Sequence, residues 1–163
     1  MPTIKHILTC ISIWASLYCF SQQPVYKQLT TEEGLPSDEI YSIIEDQKGM
    51  IWIGCDAGLY KYDGIRFIHY NCTSQRSKSI TGLTLSPNGE LYCFSFNGQL
   101  FYLNNDTLKE LKHQYSRISS ISIDKTLNLY ISHTTGIAFY NIPKKHGSTL
   151  IIIKTKRLDF LPA

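Results

Sequence analysis

The chain has 163 residues, of which 43% are hydrophobic and 18% charged, and its formal net charge is +3. This composition excludes a disordered chain and suits one folded domain of ordinary size. The mild positive charge comes without a cluster of Lys and Arg interleaved with aromatic residues, so nucleic acid is not expected as a partner.

Residues 1–21 are predicted to be a signal peptide. Lys5 precedes an apolar stretch at residues 7–20, which is shorter than the roughly 20 residues that a membrane helix needs. Cys19 and Ser21 provide the small residues of a cleavage site. We therefore expect export to the periplasm, or to a membrane-tethered extracytoplasmic position. An uncleaved anchor and lipidation at Cys19 remain as alternatives.

Four short β-strands are predicted in residues 35–70. The first two runs, residues 40–44 and 50–53, are separated by a tight turn that begins at Asp46 and ends at Gly49. Asp63-Gly64, which lies between runs three and four, predicts a two-residue hairpin. The unit is a four-stranded antiparallel meander, and such a small sheet needs neighbours because it is not stable alone in water.

The rest of the chain repeats this unit. Gly58, Gly98 and Gly136 fall into register at separations of 40 and 38 positions. A period of about 40 residues with four strands per repeat is typical of β-propeller blades. The chain is therefore predicted to be all-β, with about three four-stranded blades of an incomplete propeller. The expected structural turn residues are Asp46, Gly49, Gly54, Gly58, Gly89, Gly98 and Gly136.

The repeats place the blades at residues 35–70, 80–112 and 118–157. Residues 22–34 would be a lead with a candidate clasp strand at residues 26–29, and residues 158–163 would begin a fourth repeat. Since propellers typically need 4 to 8 blades to close, we expect the chain to be a fragment of a longer protein. Self-assembly of three-bladed chains is the alternative.

The motifs of the first repeat resemble the two-component regulator propeller family. They are Gly34-Leu35-Pro36-Ser37, Ile40-Tyr41-Ser42-Ile43, Glu45-Asp46, Gly49, Ile51-Trp52-Ile53-Gly54, Gly58-Leu59-Tyr60 and Tyr62-Asp63-Gly64. The later repeats depart from the pattern at Phe94, Leu127 and Ser132. The resemblance implies the extracytoplasmic sensor part of a bacterial signalling protein, with a membrane helix and a histidine kinase region beyond this chain.

Catalytic, metal and cofactor sites are not expected from the sequence. No phosphate-binding loop or nucleophile elbow occurs, and the histidines are scattered without ligand spacing. The aromatics that recur at fixed repeat positions are predicted to pack between sheets, with stacking on a ligand as the minority interpretation. The resulting weak ligand candidates are Trp52, Tyr60, Tyr92 and Tyr130.

Cys55, Cys72 and Cys93 would remain in the mature chain. Their number is odd, so the sequence predicts no disulfide framework and leaves a Cys55–Cys93 pairing open.

The function indicated by these patterns is ligand sensing outside the cytoplasm, in the N-terminal part of a two-component signalling protein. The partner would be a small molecule or a glycan, and a homodimer through propellers is left open. The chain itself is not expected to be an enzyme. The alternatives are an exported propeller lyase or hydrolase, and a scaffold or adhesive propeller without signalling.

Overall fold

The structure, a computed structural model, describes residues 4, 6, 26–115, 117–142 and 152–156. The predicted signal peptide therefore lies almost entirely outside the described residues, and so do residues 158–163. Residues 26–29 are irregular rather than a strand, because no described strand pairs with them. A single 3-10 turn follows at Thr31–Glu33.

In the described part of the chain, twelve strands form three separate four-stranded antiparallel sheets, which confirms the predicted all-β class. The first sheet contains β1 (Ile40–Glu45), β2 (Ile51–Cys55), β3 (Gly58–Tyr62) and β4 (Phe67–Tyr70). The second contains β5 (Gly82–Leu85), β6 (Leu91–Phe94), β7 (Leu100–Asn104) and β8 (Thr107–Leu111). The third contains β9 (Ile118–Ile123), β10 (Asn128–His133), β11 (Gly136–Asn141) and β12 (Ile152–Lys156). In each sheet the strands pair in chain order, as a propeller blade requires.

The turn between the first two strands of each blade is built around one side-chain acceptor. The Asp46 carboxylate accepts hydrogen bonds from the backbone amides of Lys48 and Met50, at 2.8 and 3.0 Å. Gly49 then takes a left-handed φ of +77°, which glycine adopts without strain. Ser86 and Asp124 occupy the same position in blades two and three and accept from backbone amides in the same way.

The Asp63-Gly64 hairpin is longer than predicted. β3 ends at Tyr62 and β4 begins at Phe67, so the connection has four residues rather than two. The Asp63 carboxylate accepts from the backbone amides of Ile65 and Arg66, both at 2.9 Å, and these bonds stabilise the wider loop.

Two hydrophobic cores lie between successive blades. The core between blades one and two consists of Trp52, Leu59, Ile80, Leu91, Cys93, Phe101 and Leu108. The core between blades two and three consists of Tyr92, Phe94, Leu100, Ile118, Leu129, Ile131, Ala138 and Tyr140. The first strands of the blades also meet, since β1 contacts β5 and β5 contacts β9. They therefore form the inner side of the arc of blades.

Candidate ligand-binding edge

One edge of the blade arc carries both the second hairpin turn of each blade and the connectors between blades. In an antiparallel meander the second and fourth strands run in the same direction, so they end at the same edge. The turns there are residues 56–57, 95–99 and 134–135, and the connectors include residues 71–81, 112–115 and 117. We call this the connector edge. Loops held on a rigid sheet scaffold are where binding residues commonly lie.

Gln99 attaches the first connector to blade two. Its side chain is only 2% exposed. Its Nε2 donates to the Ser74 carbonyl at 2.9 Å and to the Glu110 carboxylate at 3.1 Å. Its Oε1 accepts from the Arg76 backbone amide at 2.7 Å and from the Asn97 side chain at 3.1 Å. A buried amide with all these partners fixes the path of the connector over the edge.

The connector separates two polar cavities. The first, of about 700 Å³, lies against blade one and is lined by Asp56, Ala57, Tyr60, His69, Asn71, Cys72, Gln75, Arg76, Ser77 and Lys78. Tyr60 and His69 stack inside it with ring centroids 4.7 Å apart. Gln75 donates to the carbonyls of Ser77 and Lys78, which closes the connector on itself. This cavity therefore offers a stacked aromatic pair beside charged and amide side chains.

The second cavity, of about 580 Å³, lies against blade two and is lined by Ser74, Arg76, Asn97, Gly98, Gln99, Glu110, Lys112, His113 and Tyr115. Hydrogen bonds from Ser74 and Gln99, followed by the charge of Lys112, hold the pKa of Glu110 below its usual range. Burial lowers the pKa of His113, whose Nδ1 accepts from the Tyr115 backbone amide at 3.1 Å. At neutral pH the cavity thus presents a carboxylate, a neutral imidazole and two cationic side chains.

The four predicted ligand candidates lie in different environments. Trp52 and Tyr92 are buried, 3% exposed each, and belong to the two inter-blade cores. Tyr130 is 38% exposed and donates through its hydroxyl to Asp124 at 3.1 Å, away from both cavities. Of the four, Tyr60 lines the first of the two cavities described above, and the other three line neither.

The predicted turn glycines divide between the two edges. Gly58, Gly98 and Gly136 lie at the connector edge with φ of +134°, +81° and +145°. Gly49 and Gly89 lie at the opposite edge.

Gly54 differs from the turn expectation. It lies inside β2 and pairs with Ser42. A Cβ at Gly54 would meet the Ile80 carbonyl oxygen at 2.8 Å, so close approach by blade two requires glycine at this position.

The residues that sequence reasoning missed are Gln99, Glu110, His113 and Tyr115. The one available sequence signal was the polar residue Gln99 directly before the apolar strand β7. A buried side-chain amide at that position needs hydrogen-bond partners. Tyr115 also stacks on His133, with ring centroids 4.5 Å apart. These two histidines, His113 and His133, are 20 positions apart in sequence, and only the fold brings them to the same ring.

The structure shows where the three cysteines lie and how the potential metal ligands are arranged. Cys55, Cys72 and Cys93 are free thiols; the first and last are buried, and Cys72 lines the first cavity. Within the described ranges, no group of three or more His, Cys, Asp or Glu side chains is arranged to hold a metal ion.

Comparison with known families and structures identifies the type of repeat. Residues 34–57 match the model of the family described as two component regulator propeller. This confirms the resemblance through the first repeat of the chain. No curated protein sequence matches the chain.

Solved structures with similar folds include extracellular domains of signalling proteins. The extracellular domain assigned to the hybrid two component system BT3049 from B. thetaiotaomicron superposes with a TM-score of 0.61 at 19% identity, over 71% of this chain and 19% of that one. The corresponding domain of BT4673 from the same organism gives 0.56 at 20% identity, over 73% and 16%. Virginiamycin B lyase from Staphylococcus aureus gives 0.56 at 16% identity, over 73% and 43%. At these identities the likeness shows the propeller fold.

The chain spans only about a fifth of the first of these structures and less than half of the lyase. The described residues contain no apolar helix of membrane-spanning length.

Proposed function

We propose that this chain is the N-terminal part of an exported ligand-sensing propeller of a bacterial two-component signalling protein. The family match at residues 34–57 and the likeness to extracellular domains of two-component systems support the class of protein. The ligand, a small molecule or a glycan fragment, would bind at the connector edge.

The observation that carries the proposal is the pair of cavities on either side of one connector. Arg76 lines both, and its backbone amide is bound by the buried Gln99. Hydrogen-bonding and charged groups converge there with Tyr60, His69 and Tyr115. Pockets that combine aromatic surface with a few placed polar groups are the usual form of small-molecule sites.

Signalling would follow from a change in how propellers pack or pair. A ligand shifts an equilibrium only by its difference in affinity for the two states, so it must contact a part that differs between them. The connector is suited to this role because it bridges two blades. A membrane helix beyond this chain would report the change to a kinase region.

A lyase or hydrolase is the second candidate. Glu110 and His113 line the same cavity, and a carboxylate and an imidazole are both groups that can take up or release a proton. The two proposals differ in what a Glu110→Gln variant would do. A sensor would keep its ligand unchanged after binding, whereas an enzyme would release product that the variant does not form.

The test is a titration of the full chain against a panel of soluble oligosaccharides and small metabolites by calorimetry. We expect a ligand whose binding is weakened at least about tenfold by Arg76→Ala. Arg66→Ala is the matched control, since Arg66 lies in the β3–β4 loop on the opposite edge and pairs with Asp63 there. A ligand that binds both variants equally, or loses affinity equally in both, would overturn the assignment of the site.

Export is tested by a fusion of the chain to alkaline phosphatase, which is active only outside the cytoplasm. The fusion should be active in a bacterial host, and replacing three apolar residues within 7–20 by charged ones should abolish the activity. Activity that survives the replacement would contradict export by this segment.

A further inference from the structure

Two aromatic rings are exposed together on the connector edge. Tyr41 of β1 is 39% exposed and Phe96, in the β6–β7 turn, is 63% exposed. Their ring centroids are 5.1 Å apart and their planes meet at 78°. The two rings are thus in a T-shaped, edge-to-face arrangement, and a group placed in the angle between them can contact both rings. We call this pair the aromatic corner.

The aromatic corner is not an extension of either hydrophobic core. Tyr41 lies at a register shift in the β1–β2 pairing, between Ile40 and Ser42, and such bulges redirect a side chain. Phe96 occupies a turn position that holds Asp56 in blade one and Thr134 in blade three. Two separate local features thus bring two rings from neighbouring blades into contact where polar groups would be expected.

Two acidic residues, Glu39 and Asp56, lie near Tyr41 of the aromatic corner. The Tyr41 hydroxyl donates to the Glu39 carboxylate at 2.9 Å, and the Asp56 backbone amide donates to the Glu39 carbonyl at 3.3 Å. The hydrogen bond to Glu39, then partial burial and the charges of Glu39 and Asp56, raise the pKa of Tyr41. Among the residues that the structure describes, no cationic side chain forms a salt bridge with Glu39 or Asp56.

We propose that the aromatic corner binds a small quaternary ammonium ligand. Ring faces carry negative partial charge and attract a cation within about 6 Å, and paired aromatic faces are the usual means of holding methylated ammonium groups. The two carboxylates add attraction at longer range. A primary ammonium fits less well, because its three N–H donors need hydrogen-bond acceptors and the ring faces carry none.

This inference goes beyond the proposed function. Neither ring of the aromatic corner lines one of the two cavities, although the neighbouring Asp56 lines the first, and cation binding at the corner requires neither the connector nor signalling. Absence of choline binding at the aromatic corner can therefore be distinguished from absence of ligand binding at the two cavities.

The experiment is a ligand-observed NMR titration of the full chain with choline and with 3,3-dimethylbutan-1-ol, its uncharged isostere. We expect choline to bind about three to ten times more tightly than the isostere, which corresponds to the attraction of a cation to exposed rings. Raising the salt from about 0.05 to about 0.5 M should narrow this difference, because salt screens the two carboxylates. Equal binding of the two compounds would overturn the proposal, and so would tighter binding of butylammonium than of choline.

Variants locate the binding. Phe96→Ala and Phe96→Leu should each weaken choline binding at least about threefold, because leucine keeps the apolar surface but has no ring face. Ile65→Ala is the control, since Ile65 is an 89% exposed apolar residue in the loop at the opposite edge. Full retention of choline binding by Phe96→Leu, or an equal loss in Ile65→Ala, would refute the aromatic corner as the site.

Discussion

Gln99→Met replaces a buried amide by an apolar side chain of similar shape and removes four hydrogen bonds at once. The bonds are those to the Ser74 carbonyl, the Arg76 amide, the Asn97 side chain and the Glu110 carboxylate. A hydrogen bond contributes about 0.5–1.5 kcal/mol net, and more where one partner is charged. Since Ser74 and Arg76 are exposed and can rehydrate, we expect the free energy of unfolding to fall by about 2–4 kcal/mol.

Urea unfolding measures this loss, and limited trypsin digestion measures its local part. Two of the four bonds hold the connector, and losing them should speed cleavage after Arg76 by about tenfold, since about 1.4 kcal/mol corresponds to a factor of ten. Gln47→Met is the control: its Nε2 donates to the Pro87 carbonyl at 3.3 Å on the exposed surface, so we expect less than about 0.5 kcal/mol. Equal effects of the two substitutions on stability and on cleavage would refute the view that Gln99 holds the connector.

Three further predictions concern other parts of the fold. Gly54→Ala should destabilise the protein by about 1–3 kcal/mol in urea unfolding, because its Cβ would meet the Ile80 carbonyl oxygen at 2.8 Å. Asp124→Asn should remove an acid-sensitive contribution to stability. Hydrogen bonds from the Asn128 backbone and side chain hold the pKa of Asp124 below its usual range, so the stabilisation is present above about pH 4 and is lost as the pH falls further. In the chain with Cys10→Ser and Cys19→Ser, Cys72 should be the one thiol that a maleimide modifies before unfolding, because the other two are buried.

Each of these predictions has an outcome that would contradict it. Unchanged stability of Gly54→Ala would mean that blade two can move away from β2 at little cost. The stability difference between wild type and Asp124→Asn should shrink from pH 6 to pH 2, and a constant difference would show that the carboxylate does not titrate as described. Modification of two or three thiols in the native chain would show that the inter-blade packing opens readily.

The blade architecture could be predicted because its signals are local and repeated. Asp46 acts on amides two and four residues away, and Asp124 does the same in blade three. Such a turn can be recognised within a window of five residues. Leu127 could not be recognised in this way, because a leucine does not itself favour a positive φ. Its φ of +65° is imposed by the residues around it.

The candidate site could not be predicted because its parts are not repeated and are far apart in the chain. Gln99 reaches Ser74 and Arg76 across 25 and 23 positions. Recurrence of aromatics in the repeats favoured Trp52 and Tyr92 as ligand residues, but these two recur because they pack between sheets. Phe96 was missed for the opposite reason, since blades one and three have no aromatic at its position.

One cross-strand pair differs among the three blades in a way that prevents one blade from replacing another. The equivalent pairs are Ser42 with Gly54, Gly82 with Phe94, and Ser120 with Ser132. In blade two the Phe94 ring covers Gly82 so closely that a Cβ there would collide with it. In blade one the position of Phe94 is taken by Gly54, and Ile80 packs directly against it. Duplication of one blade in place of another would therefore produce either a collision or a void, so a propeller lengthened by duplication has to change both strands of this pair together.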